Sequence, residues 1–416
     1  MTTPALPRFN GMLTARVREA PPRALPPGEC QTQGGEVCAL CHASRLSYTE
    51  ELEAKQAALS QFADTALVGA RFEPLVPSSQ GRAYRTTTKR KLFRTRRGID
   101  LGLIEPDDEG RLRALTIQNC VIEPPIHTLI YRLVGEFLAS SSGSPLAELL
   151  RHVVIRGGSA EQTLILTVGA LTGPLIRSAN RLSKTLTGRV PTIVGAFLFE
   201  DTTRGSHYLG TRGAGAQPTV RKLYGKPELF MRVLGRPFLF SPFVFSQVNS
   251  FLLERMILTV AELLEPDPRG TLYDLYCGYG LFALSLSDRV HSVFGVEVSA
   301  LSVTAARRNA ERQRVSNARF QVAEITKERI DSLLRRLGAS DRVLLDPPRS
   351  GAGPGVLEAA AARRPHRVVH LVCNIDLLPR ELRRWTEAGY RLVKATPLDM
   401  FPGTSTIETV VALQPA

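Results

Sequence analysis

Several short stretches in the last third of the chain carry residue types that do chemistry in company. The run Asp274, Leu275, Tyr276, Cys277, Gly278, Tyr279, Gly280 follows one apolar strand-like segment, and Glu297 ends the next. Glycines let a backbone approach a ligand, and an acid closing the second strand can accept both ribose hydroxyls of a nucleoside. Gly278, Gly280 and Ala283 also fit the dinucleotide fingerprint, so a nicotinamide enzyme is one reading. Asp274 weighs against it. A carboxylate just before the loop repels a pyrophosphate and attracts the cationic amino-acid end of S-adenosylmethionine, so charge complementarity favours a methyl donor.

Two further stretches end strands of the same pattern: Asp346, Pro347, Pro348, Arg349, and the pair Cys373, Asn374. In amino-group methyltransferases an Asp or Asn, Pro, Pro segment commonly precedes an aromatic residue; Arg349 stands there instead, which counts against methylation of a base nitrogen. Carbon 5 of uracil attacks a methyl sulfonium only after a thiolate has added at carbon 6, and a base must then remove the hydrogen from carbon 5. Cys373 is the candidate nucleophile. Glu408 starts the last strand-like run, and if that strand is antiparallel to the others it faces the same edge as Cys373 and is the candidate base. A buried inert thiol is the bland reading of any cysteine. It suits Cys277, for which no second motif places an acid or base.

The elements needed to bring these groups together are legible in the pattern. Strands are expected at Leu272–Tyr276, Ser292–Glu297, Arg319–Val322, Val343–Asp346, Val368–Val372, Arg391–Lys394 and Ile407–Leu413, alternating with helices after an apolar helix over Phe251–Leu264. That alternation predicts an α/β fold with a Rossmann-like sheet, whose ligands sit beyond the carboxyl ends of the strands. Along the whole chain four segments are expected: a loose tail over 1–28, a cysteine-bearing and basic region over 29–125, a central α+β domain over 126–250, and the catalytic domain over 251–416. No apolar run approaches the roughly 20 residues of a membrane span. The formal charge of +14 suits a phosphate-bearing partner. Eight of the cations (Arg82, Arg85, Lys89, Arg90, Lys91, Arg94, Arg96, Arg97) lie between 82 and 97 with no acid among them. Six cysteines without a secretory signal point to metal or catalytic use in a reducing cytoplasm, and by ligand chemistry Cys38 and Cys41 suit zinc as well as iron.

Taken together, the chain resembles the RNA uracil-C5 methyltransferase family, which makes 5-methyluridine in transfer and ribosomal RNA. The resemblance runs from about Cys30 to the C-terminus. It rests on Phe245 to Asn249, the Asp274 to Gly280 loop, Asp346 to Arg349, the Cys373 and Asn374 pair, and Asp399, Met400, Phe401, Pro402 leading to Glu408. It implies that Gln247, Tyr276, Glu297, Glu324 and Asp346 line the S-adenosylmethionine site, with Asp346 also orienting the uracil, Cys373 as nucleophile and Glu408 as base. It also implies that Cys30, Cys38, Cys41 and Cys120 hold a four-iron, four-sulfur cluster beside an N-terminal RNA-binding region. The stretch before Cys30 is too short for the family's extra β-barrel module, which points to the compact 23S rRNA branch; the T-loop of tRNA is the alternative substrate. A monomer acting on RNA without a membrane is expected. A non-catalytic RNA-binding or ribosome-assembly factor is the alternative of a different class, since Val372 and Ile375 beside Cys373 depart from the family's usual residues, while Gly403 and Thr406, where histidines are usual, bear on substrate orientation and proton exit.

Overall fold

The structure is a computed structural model and describes residues 8–21, 23–26, 29–32, 37–38, 40–67, 72–95, 98–106, 112–201 and 219–416. It divides into two compact units that interleave along the chain: one holds 1–21, 45–81 and 230–416, the other 22–44 and 82–229.

The larger unit is built on seven strands, labelled here in chain order: β1 (Thr271–Leu275), β2 (Ser292–Glu297), β3 (Ala318–Val322), β4 (Arg342–Leu345), β5 (Arg367–Val372), β6 (Tyr390–Leu398) and β7 (Glu408–Pro415). Their spatial order is β3-β2-β1-β4-β5-β7-β6. The ladders joining β1 to β5 are parallel, whereas β7 runs antiparallel to both neighbours. Every residue of β4 and β5 is buried, which is why these strands read as nearly continuous apolar runs, interrupted in β5 by His370, rather than alternating ones. All seven expected strands are present within a few residues of their expected ends. The expected apolar helix spans Ser250–Leu264 and is started by the Asn249 side chain, which accepts a 3.1 Å hydrogen bond from the Phe251 amide.

The unit also takes in two helices from the front of the chain, and here the segments expected from sequence need correction. Residues 9–19 are a helix, not part of a loose tail. Phe9, Leu13 and Val17 recur every four residues, form one stripe, and are buried in the core that also holds Val372, Ile375 and Ile407. The Phe9 ring meets Phe62 edge-on at 6.2 Å. The helix Tyr48–Ala66, opened by a capping box of Ser47 and Glu50, likewise belongs to this unit and not to the cysteine-bearing region. The expected boundary at 250 also moves, because the hairpin strands Leu229–Val233 and Arg236–Phe240 fall almost wholly on the catalytic side.

The second unit is a seven-stranded mixed sheet in the order Leu112–Leu115, Gly98–Pro106, Thr87–Thr95, Leu150–Arg156, Gln162–Val168, Ile193–Glu200, Thr219–Gly225. Helices Pro125–Leu138 and Gly173–Arg189 pack Ile130, Val134, Leu175 and Leu182 against Val153, Ile155, Leu164 and Leu166 of the sheet.

Candidate active site

The β5 and β7 ladder ends at the pair Val372 and Thr409. One register step further sets Cys373 directly across from Glu408. The antiparallel direction of β7 is what brings its first residue to the carboxyl edge, and the following turn, Ile375–Leu377, begins with the Asn374 carbonyl accepting from the Leu377 amide at 2.9 Å. Glu408 is 2 % exposed and its Oε1 has no hydrogen-bond partner, whereas Cys373 is half-buried. Burial holds the Glu408 carboxyl well above the usual carboxylate range; Asp346 pushes it further up and Arg349 draws it down. The Cys373 thiol is pushed up to about 12 by burial, then by Glu408 and Asp346, against which Arg349 acts in the lowering sense. Arg349 is itself exposed and lies 5.9 Å from the centre of the Phe401 ring.

Beside this pair, the end of β1 forms the glycine loop. Asp274, fully buried at the centre of the sheet, accepts from the Ala283 amide at 3.0 Å through one oxygen, while the other is unpartnered. Glu297 accepts from the Gly278 amide at 3.3 Å and from the Ser299 amide at 2.8 Å. The Tyr276 and Cys277 amides both donate to the Val296 carbonyl, at 2.9 and 3.0 Å, so the loop is strapped to the end of β2. Tyr276 itself sits at φ 67°, a left-handed conformation unusual for a residue with a side chain. Gly280 adopts φ 85°, and a Cβ there would lie 3.2 Å from Ala306 and Leu284, so the position demands glycine twice over. Asp346 at the end of β4 is held up to about 7 by burial and by the charge of Glu297, and burial with Asp346 raises Asp274 as well.

Asp274, Glu297, Asp346 and Glu408 thus gather along one sheet edge, where burial and the neighbouring acids hold Asp274, Asp346 and Glu408 toward their protonated forms. A ligand carrying positive charge fits that edge, and the orphaned Asp274 oxygen marks an unmet demand for a donor. Of the residues expected to hold S-adenosylmethionine, Tyr276, Glu297 and Asp346 are brought together here. Glu324 lies exposed two residues beyond β3, next to Ala323, whose amide donates to the Glu297 carbonyl at 3.0 Å, and Gln247 is half-buried in the segment before helix Ser250–Leu264. Cys277 is buried, with its sulfur packed against the Gly295 backbone, a packing role.

The sequence model of the tRNA (uracil-5-)-methyltransferase family matches residues 228–416, the stretch that contains all these groups. Residues 228–416 belong to that family. An uncharacterized RNA methyltransferase of Thermosynechococcus vestitus is 28% identical over 387 residues, covering 90% of this chain and 82% of that protein. A 23S rRNA (uracil(1939)-C(5))-methyltransferase, RlmD, of Stenotrophomonas maltophilia is 40% identical over 176 residues, 42% of this chain and 39% of its own length. The crystal structure of a tRNA (uracil-54, C5)-methyltransferase of Pyrococcus abyssi with S-adenosyl-L-homocysteine superposes at TM-score 0.66 and 22% identity, covering 91% of this chain and 87% of that one; it shares the fold.

Outside the methyltransferase site, Cys30, Cys38, Cys41 and Cys120 lie in the second unit and form no disulfide among the described residues. The Cys38 amide donates to the Cys30 carbonyl at 2.6 Å, and the Cys30 amide to the carbonyl of Asn119, next to Cys120, at 3.0 Å. Burial pushes Cys41 up to about 12 and Cys120 far above the usual thiol range; Cys41 also feels Cys30 and Cys38, and Cys120 feels Cys41. As they stand, no three His, Cys, Asp or Glu side chains among the described residues are arranged to hold a single metal ion. The basic run is less uniform than its composition. Arg90 is buried, forms two 2.7 Å bonds to Glu123 and lies 4.7 Å over the Tyr131 ring, so it is structural; Lys91 and Arg94 are half-buried and exposed, and Arg96 and Arg97 lie outside the described residues.

Sequence reading missed Glu51, Lys55 and Asp376, which tie the front helices to the catalytic loops. The four-residue spacing of Phe9, Leu13 and Val17 is the one signal that could have drawn attention to the first of these helices.

Proposed function

We propose that this protein transfers a methyl group from S-adenosylmethionine to carbon 5 of a uridine in RNA, with 23S rRNA as the substrate and the T-loop uridine of tRNA as the alternative. The observation that carries the reading is the facing pair of Cys373 and Glu408 at the edge where Asp274, Glu297 and Asp346 gather. RlmD of Stenotrophomonas maltophilia supports the ribosomal substrate.

In the ligand-free protein the Cys373 thiol is protonated at neutral pH, because burial, and then the potential of Glu408 and Asp346, disfavours the thiolate. The methyl donor is a cation; held against Asp274, Glu297 and Asp346 it offsets that potential and favours the thiolate. With the thiol proton lost to solvent, the Cys373 sulfur bonds to carbon 6 of a flipped-out uracil, and the double-bond electrons move onto the ring carbonyl, where Asp346 orients the base. Carbon 5 takes the methyl group, and the donor leaves as the neutral thioether. Glu408 removes the hydrogen from carbon 5, the double bond re-forms, and the bond from carbon 6 to sulfur breaks. Nitrogen methylation would need no such thiol.

The test is methylation of 23S rRNA and tRNA transcripts, read by nucleoside mass spectrometry. The intact protein is expected to yield 5-methyluridine, and Cys373→Ala to lose it by at least about a thousandfold, the scale expected when covalent catalysis is removed. A Cys373→Ala protein working at near-normal rate would overturn the mechanism. Binding without any methylation by the intact protein would favour an assembly factor.

We further propose that Cys30, Cys38, Cys41 and Cys120 hold an iron-sulfur cluster in the second unit. Their burial, freedom from disulfides and mutual repulsion as thiolates support this reading, since all three are relieved by a cationic iron core. The six free cysteines accord with work in a reducing cytoplasm, and no helix among the described residues is long and apolar enough to cross a membrane.

A further inference from the structure

We infer that the two front helices, Phe9–Glu19 and Tyr48–Ala66, position the nucleophile and the base from behind. Glu51, Lys55 and Asp376 are the positioning residues. The inference rests on the thiolate mechanism above and concerns how its two reacting groups are held.

The first arm reaches the nucleophile. Helix Phe9–Glu19 has no capping side chain of its own, since Arg8 makes no cap bond. Its first amide, on Phe9, instead donates to Asp376 Oδ1 at 2.7 Å, across 367 residues of sequence. Asp376 lies in the single turn Ile375–Leu377 that directly follows Cys373 and Asn374. A carboxylate on a helix N-terminus is favoured by both the free amides and the helix dipole, so the bond fixes this turn against a rigid element. Phe9 and Ile375 share the same apolar core.

The second arm reaches the base. Lys55 Nζ lies 2.6 Å from Glu51 Oε1 and 2.8 Å from Asp399 Oδ1, and all three side chains are fully buried. Glu51 Oε1 also accepts from the Gly403 amide at 2.5 Å, and the Asp399 amide donates to the Val76 carbonyl at 3.0 Å. The segment that enters β7 is therefore pinned at Asp399 and at Gly403, and Glu408 is the first residue after it. Ile407, just before Glu408, is wholly buried in the core that holds Phe9.

A buried ion trio is a poor way to gain stability, because desolvation offsets most of its Coulombic attraction. It is a good way to fix direction, because each group has few alternative partners away from water. Misplacing a reacting group by about 1 Å can cost on the order of a hundredfold in rate. The first arm acts three residues beyond Cys373, and the second acts at Gly403, five residues before Glu408, and at Asp399 further upstream.

The experiment uses full-length protein and RNA carrying 5-fluorouridine at the target. After addition and methyl transfer the base cannot remove fluorine, so the protein stays covalently joined to the RNA and can be counted on a denaturing gel. Asp376→Ala is expected to form this adduct about tenfold more slowly or worse, with unchanged final amplitude and unchanged RNA affinity, and Asp376→Asn, which keeps an acceptor for the Phe9 amide, to recover most of the rate. Glu51→Ala is expected to form the adduct at near-normal rate but to turn over ordinary uridine about tenfold more slowly, with Glu51→Gln restoring turnover. A role in stability alone would lower the amplitude in proportion to unfolded protein and leave the rate constants alone; that result, or variants indistinguishable from the parent, overturns the inference. If the parent protein forms no adduct, the thiolate mechanism fails and this inference with it, whereas normal adduct formation by every variant removes this inference alone.

Discussion

At the scale of single residues, Asp274, Asp346 and Glu408 are held where they resist ionising. Asp346 shows the consequence most directly. Burial and the charge of Glu297 hold it up to about 7, against an ordinary aspartate in the unfolded chain. Between the ordinary aspartate range and about pH 7, the folded protein keeps a proton that the unfolded chain has released, so Asp346 erodes stability as pH rises through that window. Asp346→Asn removes the titration. Scanning calorimetry of the ligand-free variant is expected to show a melting temperature close to the parent's near pH 4, a gain that grows with pH, and a plateau above about pH 7. A variant that instead loses ground as pH rises would mean that the ionised Asp346 is stabilised by a cation in the free protein. The residue types at 274, 297, 346, 373 and 408 were readable from sequence because each ends or begins an apolar run. That Glu408 Oε1 lacks a partner, and that Asp346 is raised by Glu297, depends on distances between strands and was not readable.

At the scale of elements, the basic strand Thr87–Thr95 separates charge that holds the fold from charge offered to a partner. Side chains alternate between the faces of a strand. Arg90 falls on the inward side and pairs with Glu123, whereas Lys91 falls on the other and lies 5.6 Å over the Phe93 ring. Arg90→Gln is therefore expected to destabilise the protein by roughly 3–5 kcal/mol, as breaking a buried ion pair does, with RNA binding per folded molecule unchanged. Lys91→Gln is expected to leave stability within about 0.5 kcal/mol and to make the salt dependence of RNA binding shallower by about one counterion, the share of a single neutralised phosphate. Chemical denaturation and binding titrations across a salt series distinguish the two. Counting cations in the sequence merged these roles, because net charge carries no information about which face a residue takes. The helix over 9–19 was missed for a related reason: Pro and Arg nearby suggested a tail, while three buried apolar residues in eleven are enough to dock a helix when a core awaits them.

At the scale of the whole molecule, two units are threaded through one another in sequence, and the proposed metal chemistry and the proposed methyl transfer fall in different ones. Cys41→Ser, purified without oxygen, is expected to lose the visible absorption of an iron-sulfur cluster and to lower the melting temperature, since a cluster bound only by the folded chain adds its binding free energy to folding. Retained absorption with iron bound in the variant would remove Cys41 from the ligand set. The sequence by itself determined the order of strands and helices from 251 onward, the chemistry of the strand-end residues and the phosphate-seeking charge, because hydrophobic period and residue type are local properties. Only the tertiary structure decided that β7 turns back along β5 to set Glu408 against Cys373, that the Tyr48–Ala66 helix serves the catalytic unit, and that Asp376 caps a helix 367 residues away. Those outcomes are pairings between distant segments, settled by which apolar faces bury together, and no local pattern specifies a partner.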